Sequence, residues 1–389
     1  MYNSSCIELS KSALKRNLKF LQDKFGPEVA ISSVVKGNAY GHGIAPFINL
    51  AESCGIKHFS VFSVAEAYEV CQSLSKKTTR VMIMGYVDDE GLKWAIENEI
   101  SFYIFDLSRL EKALKFSKAI GKPAHIHLEL ETGMNRTGLL ELDLMKALET
   151  IKAHREHLKP VGVCTHYAGA ESVANYKRVQ EQIIEFERMT QLFNFHSIPL
   201  PARHTAASAA ALTYPETRMD MVRIGIALYG FWPSKETEMQ YHLDHKEEYK
   251  TNHADPLRRV LRWNSRIMDI NKIAAGKFIG YGTSYMTERD QTIAIVPVGY
   301  SDGFRRSLSN LGWVLIHGKR ANVIGLVNMS MIIVDISAIP QVKIGDEVVI
   351  IGKQKSARIT VGSFSDMSNL VNYEMLVRLP SEIPRVITR

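Results

Sequence analysis

The chain has 389 residues, 46% of them hydrophobic and 23% charged, which is ordinary for a globular protein of two or three domains. The net charge of +7 comes from basic residues scattered along the chain, without a lysine- or arginine-rich block, so the sequence does not favour a nucleic-acid-binding protein. There is no membrane-span-like stretch of about 18 apolar residues, no signal-peptide core and no CxxC pair among the four cysteines, so we expect a cytoplasmic protein with reduced thiols.

The N-terminal part of the chain alternates strand-like and helix-like segments. A short strand is predicted over residues 4–9, and a helix from about Ser10 places Leu14, Leu18 and Leu21 on one face. Eight apolar runs then predict strands that begin at Ile31, His58, Val81, Ser101, His125, Pro160, Pro201 and Met221. Helical segments are predicted at 44–54, 64–74, 89–98, 108–119, 142–155, 174–193 and, as a short helix, around 206–212.

This alternation predicts the fold class. Strands separated by helices form a parallel sheet, and eight such units in residues 1–233 favour a (β/α)8 barrel. Because the seventh unit is short, a doubly wound open sheet is the alternative. The first residues, 1–9, are also a candidate for pairing with a different domain.

The composition changes after Gly230. Residues 234–258 are polar and charged without apolar periodicity, which predicts a linker or an inserted surface loop. Its histidines, His242, His245 and His253, match no usual metal-ligand spacing, so a solvated loop is favoured over a metal site. From residue 259 to the end, short strands punctuated by glycine and aspartate predict a separate all-β domain, including a strand at FIGYG.

Polar residues collect where the predicted barrel strands end. They are Lys36, Arg136, His166, His204, Ser208 and Arg223, and Gly225 lies at the end of the same strand as Arg223. Taken singly, each has an ordinary explanation as a solvated charge, a salt-bridge partner or a packing group. Catalytic groups of (β/α)8 barrels lie at the carboxyl ends of the strands, so their shared placement on one rim favours an active site. A lysine amine there suggests imine chemistry with a carbonyl compound such as pyridoxal phosphate (PLP).

One series of motifs resembles a known family. VVKGNAYGHG, residues 34–43, is similar to the PLP-lysine motif of alanine racemases. The resemblance continues in order through TGMNRTG, THYAGA, HTAASAA, MVRIGIALYG, GYGTSY, VGYSDGF, GLVNMSM and VNYEM, over nearly the whole chain. It implies a barrel followed by a C-terminal β domain, a PLP cofactor, no metal, and interconversion of L- and D-alanine for cell-wall peptidoglycan.

The resemblance also implies a role for individual residues. Lys36 matches the lysine that carries PLP, and Arg223 matches the arginine facing the pyridine nitrogen, with His166 as its hydrogen-bonding neighbour. A guanidinium keeps its proton, so the ring nitrogen stays unprotonated and the ring becomes a weaker electron sink. The positions that match phosphate-binding residues are Tyr40, Ser208, Gly225, Ile226 and Tyr373. The positions that match substrate-binding or entrance residues are Arg136, Met329 and Tyr300.

Racemisation needs proton exchange on both faces of the substrate Cα. The resemblance implies that Lys36 serves one face and that Tyr281 serves the other. In the family this tyrosine comes from the partner subunit, so a homodimer is expected. Both groups have ordinary pKa values near 10, and we expect the positive charges of Arg136 and Arg223 to shift them toward working pH.

The chain departs from the family pattern near the expected site. Ala207 stands where Asn is usual, Leu326 where Arg is usual, and Ser330 where Asp is usual. Glu129 matches a position that is a carbamylated lysine in some relatives, so we expect its carboxylate to orient Arg136 directly. These changes leave a broader-specificity racemase, acting on serine, lysine or other amino acids, as the alternative. The arginine at the pyridine nitrogen disfavours a PLP-dependent decarboxylase, and the β domain disfavours a non-enzymatic PLP-binding protein.

Overall fold

The computed structural model describes residues 4–245, 255–366 and 372–389. The chain forms two compact units. The barrel unit consists of Ala13–Lys36 and Ile48–Arg258, and the β unit consists of Met1–Ser12, Gly37–Phe47 and Arg259–Arg389. Neither unit is therefore a continuous piece of sequence.

The barrel unit is built on eight parallel strands, which confirms the predicted fold class. After strand β1 (Ser5–Ser10) of the β unit, these strands are β2 (Ala30–Val34), β3 (His58–Val61), β4 (Arg80–Ile83), β5 (Ser101–Ile104), β6 (Ala124–Glu129), β7 (Leu158–Cys164), β8 (Ala202–His204) and β9 (Met221–Ile224). Each of β2 to β7 pairs with the strand that follows it, and β9 pairs with β2. Backbone bonds from Asp220 to Arg203 and from Arg223 to Ala206 nearly close the ring, so the open-sheet alternative is wrong.

Helices follow the strands; most bury one face, and the short helix Ser208–Thr213 is buried almost entirely. They are Lys11–Phe25, Ile44–Ser53, Val64–Ser73, Asp89–Glu97, Leu107–Ile120, Glu141–Ala153, Tyr176–Phe195 and Ser208–Thr213. The predicted leucine face of the first helix is buried. Capping side chains fix several starting points: Ser63 forms a capping box with Glu66, and the Asp106 carboxylate accepts the Arg109 N–H at 2.8 Å.

The β unit contains one mixed sheet. Its remaining strands are β10 (Leu261–Arg266), β11 (Asp269–Ile273), β12 (Gln291–Val296), β13 (Trp313–Ile316), β14 (Lys319–Val323), β15 (Ile332–Asp335), β16 (Glu347–Gln354), β17 (Ala357–Ile359) and β18 (Arg385–Thr388). The order is β11-β12-β15-β14-β13-β16-β10-β1-β18, with β17 paired to β16. All neighbours are antiparallel except β1 and β18, which run parallel.

The first strand of the chain is an interior strand of this sheet. It pairs with β10 on one side and β18 on the other, and its alternation buries Ile7 and Leu9 completely. The predicted strand at FIGYG is absent: the segment makes only an isolated bridge between Phe278 and Met286. Gly280 and Gly282, both at φ +69°, interrupt the extended backbone there.

The polar segment after the barrel is partly helical rather than a loop throughout. Ser234 accepts the Thr237 N–H at 3.0 Å and starts the helix Lys235–Asp244, a capping signal that outweighs the missing apolar periodicity. His245 stacks on Tyr241 at 4.3 Å, and the third histidine of this segment lies outside the described residues. Within the described ranges, no helix has the length and apolar character needed to cross a membrane.

Candidate active site

Lys36 lies just beyond the end of β2, at the mouth of the barrel. The backbone there is fixed by the bond from the Val35 N–H to the Ser60 carbonyl, 2.9 Å. Desolvation lowers the pKa of the Lys36 ammonium, and the positive charges of Arg136 and Arg223 lower it further. A lowered pKa increases the share of neutral amine, which is the nucleophilic form.

A left-handed turn follows the lysine, a feature that sequence reasoning did not predict. Residues 37–41 all have positive φ, between 51° and 79°. Glycine and asparagine tolerate this region, but Ala39 and Tyr40 adopt it at a cost of roughly 1–2 kcal/mol each. Such cost persists only where surrounding structure enforces the conformation, and it is concentrated at functional sites.

Contacts within the β unit enforce this turn. The Gly41 N–H donates to the Gly37 carbonyl at 3.1 Å, and the Asn38 side chain accepts the Ile44 N–H at 3.0 Å. A Cβ at Gly41 would lie 1.8 Å from the Leu376 carbonyl oxygen, so only glycine fits. The turn leaves Tyr40 half-buried, and desolvation raises the pKa of its phenol to about 12.

Arg223 is the third residue of β9, and both terminal nitrogens of its guanidinium donate hydrogen bonds. It is only 4% exposed. One terminal nitrogen donates to the Thr165 carbonyl at 2.8 Å and to the Thr205 carbonyl at 3.0 Å, and the other donates to the backbone carbonyl and the ring of His204. The guanidinium is therefore fixed inside the barrel as a permanent positive charge.

A chain of directed hydrogen bonds runs from Arg223 into the barrel interior. Because arginine only donates, Nδ1 of His204 must accept, at 2.9 Å. Nε2 of His204 then carries the hydrogen and donates to Nδ1 of His127 at 2.8 Å, and Nε2 of His127 donates to the Ser101 hydroxyl at 3.1 Å. The chain ends at the Val81 carbonyl, which accepts from Ser101 at 3.2 Å. Burial lowers the pKa of His127 to about 3 and that of His204 well below its ordinary range, so both rings are neutral.

His166 lies among the positive groups at the same end of the barrel. Burial, followed by the charges of Arg223, Arg136 and Lys36, lowers its pKa to about 3. The four residues therefore affect one another electrostatically, and His166 is a neutral hydrogen-bonding group at physiological pH. The structure thus brings together these four predicted site residues within the barrel unit.

Ser208 organises the backbone after β9. Its hydroxyl oxygen accepts the Gly225 N–H at 3.1 Å and the Ala227 N–H at 3.5 Å. Within the described part of the chain, the Ser208 hydroxyl hydrogen and the Ile226 N–H have no acceptor, so two donors are available to a ligand. Ala207 occupies the N-cap of the helix Ser208–Thr213 without a side-chain cap.

The backbone of the loop that carries Arg136 is organised by Glu131. Glu131 accepts the Gly133 N–H at 2.6 Å and the Arg136 N–H at 3.2 Å. Glu129 forms no ion pair with Arg136 among the described residues; Thr137 is its hydrogen-bonding neighbour. Burial raises the pKa of Glu129, and its coupling to Arg136 is through charge alone.

The β unit carries the remaining candidate residues. Tyr281 is 71% exposed between two glycines with positive φ. The Met329 carbonyl accepts the N–H and the hydroxyl of Ser301, the residue after Tyr300, at 2.9 and 2.7 Å. The Met329 N–H has no acceptor within the described ranges. Tyr373 belongs to the helix Asn372–Val377, and its side chain is outside the described part of the structure.

Several residues around the site were missed by sequence reasoning. His127 faces inward from β6. The histidines at alternate positions in HIHLEL, residues 125 and 127, could have indicated it. Gln182 is a polar residue on the buried face of the helix Tyr176–Phe195, where only apolar residues were expected. Thr165 acts through its backbone carbonyl, which leaves no signal in the sequence.

Two family models match the chain. Residues 9–233 match the N-terminal domain of alanine racemase, and residues 260–387 match its C-terminal domain. Among curated proteins, an alanine racemase of Leptospira interrogans is 35% identical over 99% of this chain and 96% of its own length. One of Methanococcus maripaludis is 32% identical over 97% of both chains.

Solved structures agree with this result. An alanine racemase from D-cycloserine-producing Streptomyces lavendulae superposes with a TM-score of 0.87 at 28% identity, covering 100% of this chain and 98% of that one. A structure from Bacillus anthracis with bound L-Ala-P has a TM-score of 0.86 at 26% identity, covering 100% and 96% of the two chains.

Proposed function

Because the chain belongs to the alanine racemase family, we propose that it is a PLP-dependent racemase that interconverts L- and D-alanine. The observation that carries this proposal is the cluster at the barrel mouth. There the positive charges of Arg223 and Arg136 act on Lys36, whose pKa is lowered, and on a neutral histidine, His166. The residues of the cluster are those that the family resemblance assigned to cofactor and substrate.

The donor set fits PLP. The Lys36 amine suits the aldehyde of the cofactor, and the Ser208 hydroxyl hydrogen and the Ile226 N–H suit a phosphate. Arg223 supplies a positive charge for the pyridine nitrogen, and Tyr40 and Tyr373 add phenols. When bound, PLP supplies an electron sink that makes the substrate Cα–H acidic.

Two groups of this protein then exchange the proton. Lys36 takes or returns it on one face of the substrate Cα, and Tyr281 of the partner subunit does so on the other. A two-base arrangement allows the configuration to invert without one base crossing the cofactor plane. The positive charge of Arg223, together with that of Arg136, favours the neutral lysine needed for proton removal.

The substrate carboxylate is held by donors. We assign this role to the Met329 N–H, which has no acceptor among the described residues, and to the Arg136 guanidinium, while Glu129 acts on Arg136 through its charge. Tyr300 lines the entrance. These groups orient the amino acid without taking part in proton exchange.

The proposal requires a homodimer, since the second base comes from another copy. Its support is a set of exposed apolar side chains on the β unit: Phe278, Tyr281, Met286, Leu311, Met329 and Ile344. We expect light scattering to give a mass of twice 43.8 kDa. The protein would act in the cytoplasm and supply D-alanine for peptidoglycan.

Solvent deuterium incorporation tests the activity. The purified, PLP-loaded protein in D2O is expected to label L- and D-alanine at Cα and to bring both to an equal mixture. A monomeric protein, or one that binds PLP without labelling either enantiomer, contradicts the proposal.

A broader-specificity racemase is the second candidate. Ser330, Leu326 and Ala207 remove two charged side chains and one amide that the family usually has, which changes the polarity of the expected substrate pocket. Initial rates with a panel of L-amino acids decide between the two. Alanine as the fastest substrate supports the first candidate, and serine or lysine as the fastest supports the second.

A further inference from the structure

Gln182 is a buried polar residue on a helix outside the predicted site. It lies in the helix Tyr176–Phe195 and is 1% exposed. Burying an amide is unfavourable unless its donors and acceptor are paired, so its partners show what it holds.

All three hydrogen-bonding groups of the Gln182 amide are used. Its oxygen accepts the Ala168 N–H at 2.8 Å. Its nitrogen donates to the His166 carbonyl at 3.0 Å and to the Thr132 hydroxyl at 3.3 Å. Because a backbone N–H only donates and a carbonyl only accepts, the orientation of the amide is fixed by its partners.

These partners belong to two different loops. Thr132 begins the loop after β6 that carries Arg136, and His166 and Ala168 lie in the loop after β7. The Thr132 and Thr165 hydroxyls are bonded to each other at 2.7 Å, and the Thr165 carbonyl accepts from Arg223 at 2.8 Å. One amide therefore connects the segments that hold Arg136, His166 and Arg223.

The close approach of the first loop supports this connection. Gly133 has φ +126°, and a Cβ there would lie 3.2 Å from the Gln182 side chain. The loop is thus packed against the amide as well as bonded to it. A purely apolar side chain would fill the same space but could not tie the two loops together.

We propose that Gln182 is a positioning residue that keeps the Arg136 loop and the His166 loop in a fixed arrangement. This inference rests on the racemase function proposed above, in which both loops serve the cofactor and substrate. Displacing catalytic groups by about 1 Å is expected to reduce turnover by about 100-fold.

Two variants separate positioning from packing. Gln182→Met keeps the length of the side chain and removes every hydrogen bond. Gln182→Glu keeps an acceptor for Ala168, and when protonated it can donate to the His166 carbonyl. Burial raises the pKa of a carboxyl group. The kcat of Gln182→Glu is therefore expected to approach that of the wild-type protein when both are measured at low pH. It is expected to fall below the wild-type value as pH rises and the carboxylate forms. Gln182→Met is expected to lose about 10- to 100-fold in kcat at every pH.

The controls are Gln191→Met and Gln191→Glu, at an exposed position of the same helix. Hydrogen exchange of peptides covering residues 131–138 and 165–168 is measured on every variant, with or without PLP, alongside thermal unfolding. Faster exchange in both loops of Gln182→Met, with the Gln191 variants unchanged, supports the proposal. Wild-type exchange and kinetics in Gln182→Met, or lower thermal stability alone, overturn it. If the wild-type protein does not racemise alanine, the proposed function fails while the exchange data still test Gln182.

Discussion

The barrel unit and the β unit prepare their candidate residues in different ways. In the barrel unit, Lys36 and His166 have pKa values lowered by burial and by neighbouring arginines, and Arg223 is bonded on both terminal nitrogens. In the β unit, Tyr281 is 71% exposed, and Tyr300 is 39% exposed. The Tyr300 N–H donates to the Asn328 carbonyl at 3.0 Å.

This difference shows what each unit supplies by itself. The charges of Arg136 and Arg223 act on Lys36 and His166 within the barrel unit itself. The phenols of Tyr281 and Tyr300 are open to solvent in the β unit. In the proposed homodimer, the second copy covers Tyr281.

The largest expected effect comes from removing the Lys36 amine. Lys36→Ala is expected to lower alanine racemisation by at least about 10⁴-fold, since both a covalent attachment and a base are lost. Borohydride reduction of the wild-type protein with PLP, followed by peptide mapping, is expected to place the cofactor on the peptide containing residue 36. Lys15→Ala, at an exposed position of the first helix, is the control. Covalent labelling of another lysine contradicts the assignment.

The exposed phenol is tested next. Tyr281→Phe is expected to lower racemisation by about 10²- to 10⁴-fold because one of two proton donors is lost, while PLP still binds. The measurement is Cα deuterium exchange started separately from L- and D-alanine. Tyr86→Phe, a barrel-unit tyrosine that is also 71% exposed, is the matched control. Near-normal exchange from both enantiomers in Tyr281→Phe removes this residue from the mechanism.

The buried histidine chain predicts acid sensitivity of the barrel unit. In the folded state His127 has a pKa of about 3, against about 6.5 when unfolded. Between these values the unfolded chain binds the extra proton, so stability is lost as pH falls. Between pH 6 and 4, the unfolding free energy of His127→Gln is expected to fall less steeply with decreasing pH than that of the wild-type protein. The expected difference between the two slopes is about 1.4 kcal/mol per pH unit. Urea denaturation at several pH values measures it, and parallel slopes for the two proteins count against the prediction.

The smallest expected effect concerns the uncapped helix beside Ser208. Ala207→Asn supplies a side-chain cap in an extended backbone that suits one, which is expected to raise unfolding free energy by about 1 kcal/mol and to tighten PLP binding by up to about fivefold. The control is Leu140→Asn, another N-cap position without a side-chain bond. It is expected to stabilise its helix without changing PLP affinity. Equal PLP affinities for all three proteins contradict the prediction.

The fold of the barrel unit was largely readable from the sequence. Each strand candidate from Ile31 to Met221 coincides with a strand, because apolar runs separated by amphipathic helices leave few other arrangements. The strand predicted at FIGYG was wrong because its glycines interrupt the extended backbone. The helix after Ser234 was missed because a cap, rather than an apolar face, marks it.

The candidate site was predictable from the sequence only where side chains mark it. Lys36, His166 and Arg223 were predicted as polar residues at strand ends. The left-handed turn at Ala39 and Tyr40 was not, since neither residue type favours that conformation. The use of the Thr165 carbonyl and of the Gln182 amide depends on how distant segments pack, which no local pattern encodes.

Strand β1 is synthesised long before either of its neighbours. One neighbour begins at Leu261 and the other at Arg385. On the ribosome, Ile7 and Leu9 therefore remain unpaired while the strands of the barrel unit are made, and β1 has both neighbours only after β18 has been synthesised. Loss of β18 would leave β1 as an open edge, ready to pair with another nascent chain.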